Sequence, residues 1–168
     1  MLVYVQEGLD SGSSPVEGEP PLLDNVGCFF EPYVMAMRVG QTMRIRNSDP
    51  IFHNVHVTPQ NNPEFNFALP VQNQITERKF SRPELFIRAK CDVHPWMFAY
   101  INVLQHPFFA ITESTGTYQL PRLPHGTYLL TAQHQKAGVV RQRISLGATG
   151  ERVVNFTLKV PAPQVSQR

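Results

Sequence analysis

Fifteen prolines and ten glycines punctuate 168 residues. What lies between them is short runs rich in Val, Ile, Thr, Phe and Tyr, with no long helical period. A chain broken this often cannot build long helices, but it suits many short strands joined by turns. The expected class is therefore all-β. An apolar share of 42% is ordinary for a globular protein, and 168 residues suffice for one good-sized core or two small ones.

Reading along the chain, "LVYVQEG" is a first strand, and "LDSGSSPVEGEPPLLDN" collects Ser, Gly, Pro and acidic groups as a long loop. In "CFFEPYVMAMRVGQTMRIRNSDP", Val34, Ala36 and Arg38 alternate with Met35, Met37 and Val39, and Gly40-Gln41 separates a second run at 42–46. A strand follows over 51–58, stopped by Pro59; His53 and His56, three apart, are expected on opposite faces of it. Residues 59–74 read as a polar loop with aromatic anchors. "ITERKF" and "ELFIRAKC" give two more strands, the second with Leu85, Ile87, Ala89 and Cys91 on one face and Phe86, Arg88 and Lys90 on the other. "MFAYINVLQ" resumes as a strand. From His106 onward five short alternating runs are separated by turns at 115–116, 124–126, 136–138 and 147–150, which implies a second, smaller antiparallel sandwich. The expected domains are 1–105, 106–160 and a tail at 161–168. With no Gly/Ser linker at 105–107, the two modules are expected to pack together.

Fifteen basic against thirteen acidic residues give +2, too weak and dispersed for a nucleic-acid or membrane-surface partner. No apolar run reaches membrane-spanning length, and the first twelve residues lack the pattern of a secretory signal. The two cysteines, Cys28 and Cys91, leave two readings open: one disulfide, or one ligand and one spare thiol.

The segment "CDVHPWM" places a thiol, an imidazole and a thioether on one short loop. Soft sulfur donors of this kind select copper or zinc over hard cations. Together with "FHNVHV", whose His53 stands 38 positions before Cys91, this loop resembles the type-1 copper proteins, the cupredoxins, and most closely the amicyanin group; the stretch from Phe29 to Pro50 is similar to the strand pair that leads to their first histidine. The resemblance covers about residues 1–105. It implies a Greek-key β-sandwich holding one type-1 copper through His53, Cys91 and His94, with Met97 as a weak axial ligand and His94 near the surface. It further implies that Asn54 ties the two ligand-bearing segments together. Val93 stands where such loops often carry proline, so its amide is expected to donate to the Cys91 sulfur. The implied function is single-electron transfer to a redox protein such as a cytochrome or a membrane-bound electron-transfer complex, in the periplasm or another extracytoplasmic space.

Residues 107–160, with "LPHGTY", resemble the carboxypeptidase regulatory-like, transthyretin-like β-sandwich, which implies a docking or rigidifying role. His56, His106, His125 and His134 read as ordinary strand, surface or turn histidines, and Met35, Met37 and Met43 as core. Trp96, the only tryptophan, either covers the metal pocket or belongs to an exposed docking patch. An enzyme is not expected, because Cys91 and His94 lack an orienting acid and Asp92 is expected to face away. The alternative functions are a metal-free structural subunit of a membrane-bound photosynthetic or respiratory complex, locked by a Cys28–Cys91 disulfide, and a Cu(I) chaperone or store.

Overall fold

A computed structural model of the protein describes residues 1–10, 19–147 and 151–161. Within them the chain is all-β, with strands β1 (Leu2–Glu7), β2 (Leu22–Val26), β3 (Phe29–Glu31), β4 (Val34–Arg38), β5 (Met43–Asn47), β6 (His53–Thr58), β7 (Phe65–Leu69), β8 (Ile75–Arg78), β9 (Glu84–Lys90), β10 (Phe98–Leu104), β11 (Phe109–Ile111), β12 (Gly126–His134) and β13 (Gly138–Leu146). Among the described residues no helix is long and apolar enough to cross a membrane. The chain divides into two compact units, 13–107 and 1–12 with 108–168.

The 13–107 unit has a five-stranded sheet in the order β4-β10-β9-β6-β7 and a four-stranded sheet in the order β3-β2-β5-β8. Both are mixed: β10 runs parallel to β4, and β2 parallel to β5. Alternate residues of the two sheets fill one core. Leu23, Met43 and Ile45 come from the smaller sheet, while Met37, Val55, Ala99 and Ile101 come from the larger, all fully buried. Met35 joins them in the core. Each large apolar side chain so buried contributes roughly 1.5–3 kcal/mol.

Two strands lie where the sequence reads as loop. β2 falls inside 8–26, and β7 inside 59–74. Asp24 and Asn25 make β2 a poor strand by propensity. Tertiary partners override that: Arg46 Nε donates to Asp24 Oδ2 at 3.0 Å, Ser48 Oγ to the same oxygen at 2.9 Å, and Asn25 Nδ2 to the Arg46 carbonyl at 2.7 Å. In β7 the aromatic anchors Phe65 and Phe67 do pack against the core, and the segment also forms a full antiparallel ladder with β6, His53 opposite Leu69 through Val57 opposite Phe65.

The first strand also corrects the domain boundary at residue 1. β1 does not join the unit that follows it but lies between β11 and β12 in a four-stranded antiparallel sheet, β11-β1-β12-β13. Its Leu2, Val3 and Val5 are fully buried there. Val5 forms an apolar cluster with Tyr128, Leu130 and Ile144, against which Leu120, Leu123, Val154 and Phe156 pack from segments outside the sheet. Gly8 has φ +97°, and a Cβ there would meet the Thr127 carbonyl oxygen at 2.2 Å, so only glycine lets the chain leave β1 this close to β12. Tyr128 closes the "LPHGTY" turn by donating its hydroxyl to the Pro124 carbonyl at 3.0 Å. Residues 11–18 of the long loop, 148–150 of the last turn and 162–168 of the tail lie outside the described residues.

Val5→Asp, which buries an unpaired carboxylate, is expected to cost several kcal/mol. It should unfold the unit containing residues 108–160 while Trp96 emission in the other unit keeps its native wavelength; loss of both together by NMR and fluorescence would show that the strand serves the 13–107 unit instead.

Candidate metal centre

The centre forms where two antiparallel strands end. β6 and β9 are in register at His56 opposite Lys90, so the His53 end of β6 runs past the end of β9 and alongside the loop that follows. Cys91 continues the core-facing series of Ile87 and Ala89. The loop then folds back on itself: the Met97 amide donates to the His94 carbonyl at 2.9 Å, and the Cys91 amide to the Met97 carbonyl at 3.1 Å.

Three donors converge. His94 Nδ1 lies 3.1 Å from His53 Nδ1 and 3.7 Å from Cys91 Sγ, and all three atoms lie within 4.8 Å of one another. His53 is fully buried, Cys91 nearly so, and His94 half-buried. Met97 is fully buried in the same apolar cluster as Cys91. Ligand bonds of about 2.0–2.3 Å to N and S require donors roughly 3–4 Å apart, and this separation, in a pocket with soft sulfur and imidazole donors, suits copper or zinc.

Asp49 orients the deepest of these donors. Its Oδ2 lies 2.8 Å from His53 Nε2, and its carboxylate also accepts the Gly27 amide at 2.7 Å and the Cys28 amide at 2.9 Å. Burial pushes the Asp49 carboxyl up. The amides of Cys28 and Gly27 and the His53 ring outweigh it and hold the carboxyl below its ordinary value. An ionised carboxylate only accepts, so the His53 proton sits on Nε2 and the Nδ1 lone pair faces Cys91 and His94. Gly27 and Cys28, both at φ 60°, form the tight β2–β3 hairpin that aims those two amides. Cys28, Asp49 and His53 also form a second group of metal-ligating type, with one donor atom from each within 4.8 Å of the others. In the sequence, "NSDP" signals only a turn; nothing there shows that Asp49 folds onto the histidine four residues later.

Asn54 joins the two segments. Its Oδ1 accepts the Asp92 amide at 2.7 Å and the Cys91 thiol at 3.3 Å; its Nδ2 donates to Asn66 Oδ1 at 2.8 Å and Asp92 Oδ2 at 3.0 Å. Asp92 is engaged away from His94, with Lys90 Nζ at 2.7 Å and His56 Nδ1 at 2.9 Å. The Lys90 hydrogen bond, against some burial and with help from Asn54 and His56, holds its carboxyl far below the usual range. His56 also bonds Glu64 at 2.8 Å, on the opposite face of β6 from His53. An acid does orient a histidine here, but not His94. It is Asp49, on His53, and the adjacent thiol is only 2% exposed.

Val93 departs from its expected part. Among the described residues the Cys91 sulfur has Asn54 Oδ1 and His94 Nδ1 as partners, and the Val93 amide is not one of them. The preceding amide, that of Asp92, donates to Asn54 Oδ1, and the Val93 side chain is half exposed. Cys28 and Cys91 are both free, so the disulfide left open by the cysteine count is not formed. Trp96 is 56% exposed, with its ring 5.3 Å from that of His94 and its Nε1 donating to the Cys28 carbonyl at 3.1 Å.

No protein-family model matches this chain, and no curated protein does. Solved structures similar to it include a Cu-containing nitrite reductase from Thermus scotoductus SA-01, at 23% identity and TM-score 0.46, covering 60% of this chain and 26% of that one. A purple cupredoxin from Nitrosopumilus maritimus matches at 22% identity and TM-score 0.42, over 49% of this chain and 98% of that one. A methionine-to-alanine mutant of amicyanin, in the Cu(I) form, matches at 20% identity and TM-score 0.45, over 57% of this chain and 97% of that one.

Proposed function

We propose that the chain is a single-electron carrier of the cupredoxin kind, in which His53, Cys91 and His94, with Met97 as a weaker fourth donor, would hold one copper ion. The observation that carries this reading is the convergence of the two Nδ1 atoms and the Cys91 sulfur within 4.8 Å, in a buried pocket whose deepest histidine is already turned by Asp49. Copper in such a site supplies reversible one-electron chemistry, because a His2Cys set with a distant thioether suits both oxidation states. The protein's own part is positional. Asp49 fixes the His53 tautomer, Asn54 holds the Cys91 segment against β6, and the two loop hydrogen bonds around Met97 keep His94 and Cys91 on one side. A rigid donor set limits rearrangement when the charge of the ion changes.

A hydrolytic role for Cys91 is disfavoured by access, since a nucleophilic thiol must meet its substrate and this sulfur is 2% exposed. The half-buried His94 and the exposed Trp96 beside it form the natural point of electron exit to a protein partner, which we take to be a cytochrome or a membrane-bound electron-transfer complex in an extracytoplasmic space. The 1–12/108–168 unit we read as a carboxypeptidase regulatory-like module that docks or rigidifies; its buried cluster is apolar, as a supporting domain requires.

Adding Cu(II) to the copper-free protein should produce an intense blue or green thiolate absorption at one equivalent, with a reversible wave in voltammetry. Cys91→Ser should abolish the band, and its survival in that variant would remove the assignment. Asp49→Asn leaves the His53 ring without its ionised acceptor and is expected to weaken copper binding about 10- to 100-fold, measured by chelator competition. Asn54→Ala orphans the Asp92 amide and the Cys91 thiol donor. It should destabilise the copper-free protein by roughly 1–3 kcal/mol in urea denaturation.

A further inference from the structure

Beside the 91–97 loop lies an open groove lined by Asp24, Phe29, Glu31, Tyr33, Trp96 and Phe98, all within the 13–107 unit. We propose that this groove binds a cationic side chain, an arginine or a lysine, presented by a protein partner.

The groove presents one carboxylate without an ion pair among the described residues. Asp24 and Glu31 are register partners across the antiparallel β2–β3 pair, which sets two carboxylates directly opposite one another. Like charges in that relation repel. Asp24 is 7% exposed; its Oδ2 takes Arg46 and Ser48, whereas its Oδ1 is buried and accepts no hydrogen bond. Glu31 is exposed and forms no ion pair among the described residues. Asp24 is balanced by Arg46, and Arg88 lies against the Phe98 ring, so Glu31 is the lining carboxylate left without an ion pair among the described residues.

The walls suit the same ligand. Phe29, two residues before Glu31 and so on the same pleat face, is 60% exposed, Tyr33 51% and Trp96 56%. Aromatic faces attract cations, guanidinium groups above all. The chain uses that contact itself: Arg88 lies 5.2 Å from the centroid of the Phe98 ring of the lining, and elsewhere Arg78 lies 4.7 Å from that of Phe67. A neutral apolar ligand would leave the Glu31 carboxylate without a partner. A guanidinium satisfies the Glu31 carboxylate at its donor edge while its plane stacks on a ring.

The location gives the binding a consequence. Trp96 touches the groove on one side and lies 5.3 Å from His94 on the other, so a basic side chain seated here brings its parent protein against the exposed edge of the candidate metal centre. That consequence rests on the electron-carrier reading above, while the groove's preference for a cation does not.

Trp96 is the only tryptophan, so its emission reports on the groove directly. The full copper-free chain is titrated with N-acetyl-L-arginine amide and, separately, with the neutral isostere N-acetyl-L-citrulline amide. The arginine probe is expected to give a saturable change with a dissociation constant in about the millimolar range. The citrulline probe should bind about tenfold more weakly, and Glu31→Gln should weaken the arginine probe about fivefold without moving the citrulline curve. Phe29→Ala should weaken the arginine probe as well. Equal curves for the two probes, or an arginine affinity unchanged in Glu31→Gln, would overturn the proposal. Because no copper enters the titration, its failure leaves the electron-carrier reading intact, and failure of copper reconstitution leaves the groove result intact.

Discussion

The side-chain amide of Asn54 reaches across 38 residues of sequence to accept both the Asp92 amide and the Cys91 thiol. β6 and β9 stop sharing backbone hydrogen bonds at His56 and Lys90, and beyond that point nothing in the sheet ladder holds the loop to the strand. Asn54 continues the pairing with a side chain where the backbone can no longer do so. A primary amide suits this part because it offers an acceptor to the loop and two donors to its surroundings; here these go to Asn66 and Asp92. The convergence of His53, Cys91 and His94 depends on that junction, since Cys91 and His94 come from one side of it and His53 from the other.

Charge placement then determines what the converged donors can do. Asp49 is itself held by two backbone amides from the β2–β3 hairpin, so the carboxylate that orients His53 is fixed by an element of the opposite sheet. Both sheets of the 13–107 unit thus contribute to one imidazole. Asp92, one residue beyond Cys91, is drawn the other way by Lys90 and His56. Two carboxylates lie close to the candidate centre. One faces His53 and the other is neutralised on the outer face of the sheet, an arrangement that keeps the sulfur and the two Nδ1 atoms free of a competing anionic oxygen.

The same hairpin links the centre to the surface. Gly27 and Cys28 give their amides to Asp49, Cys28 gives its carbonyl to Trp96, and Phe29 to Glu31 continue as one wall of the aromatic groove. A single short stretch of chain therefore borders both the buried imidazole and the exposed rings. The unit built from β1 and β11–β13 is held differently. Its strength lies in a long β12–β13 hairpin, and in β1, which seals the inner edge of β12 with three fully buried apolar side chains.

Periodicity alone exposed much of the frame. The alternation through 34–39 and 42–46, the Gly40-Gln41 turn, and the core-facing series Ile87, Ala89 and Cys91 follow from where side chains must point on a pleated strand. The resemblance carried by His53, 38 positions before Cys91, and by the Cys-x2-His-x2-Met loop implied a ligand set, of which the fold draws His53, Cys91 and His94 together. Long-range pairing is not written in local pattern. Asp24 and Asn25 count against a strand until Arg46 and Ser48 satisfy them; β1 has no local mark that assigns it to a sheet more than a hundred residues away; Asp49 is a turn residue until the turn closes onto His53. The Val93 amide, which the resemblance pointed to, is not among the partners of the sulfur in the described residues. The sequence by itself determined an all-β chain and a donor set suited to a soft metal, since these depend on side-chain type and local period. Only the tertiary structure decided which strands pair, which carboxylate orients the histidine and which amide binds the thiol, since each is a contact between groups that only the folded chain brings within hydrogen-bond distance.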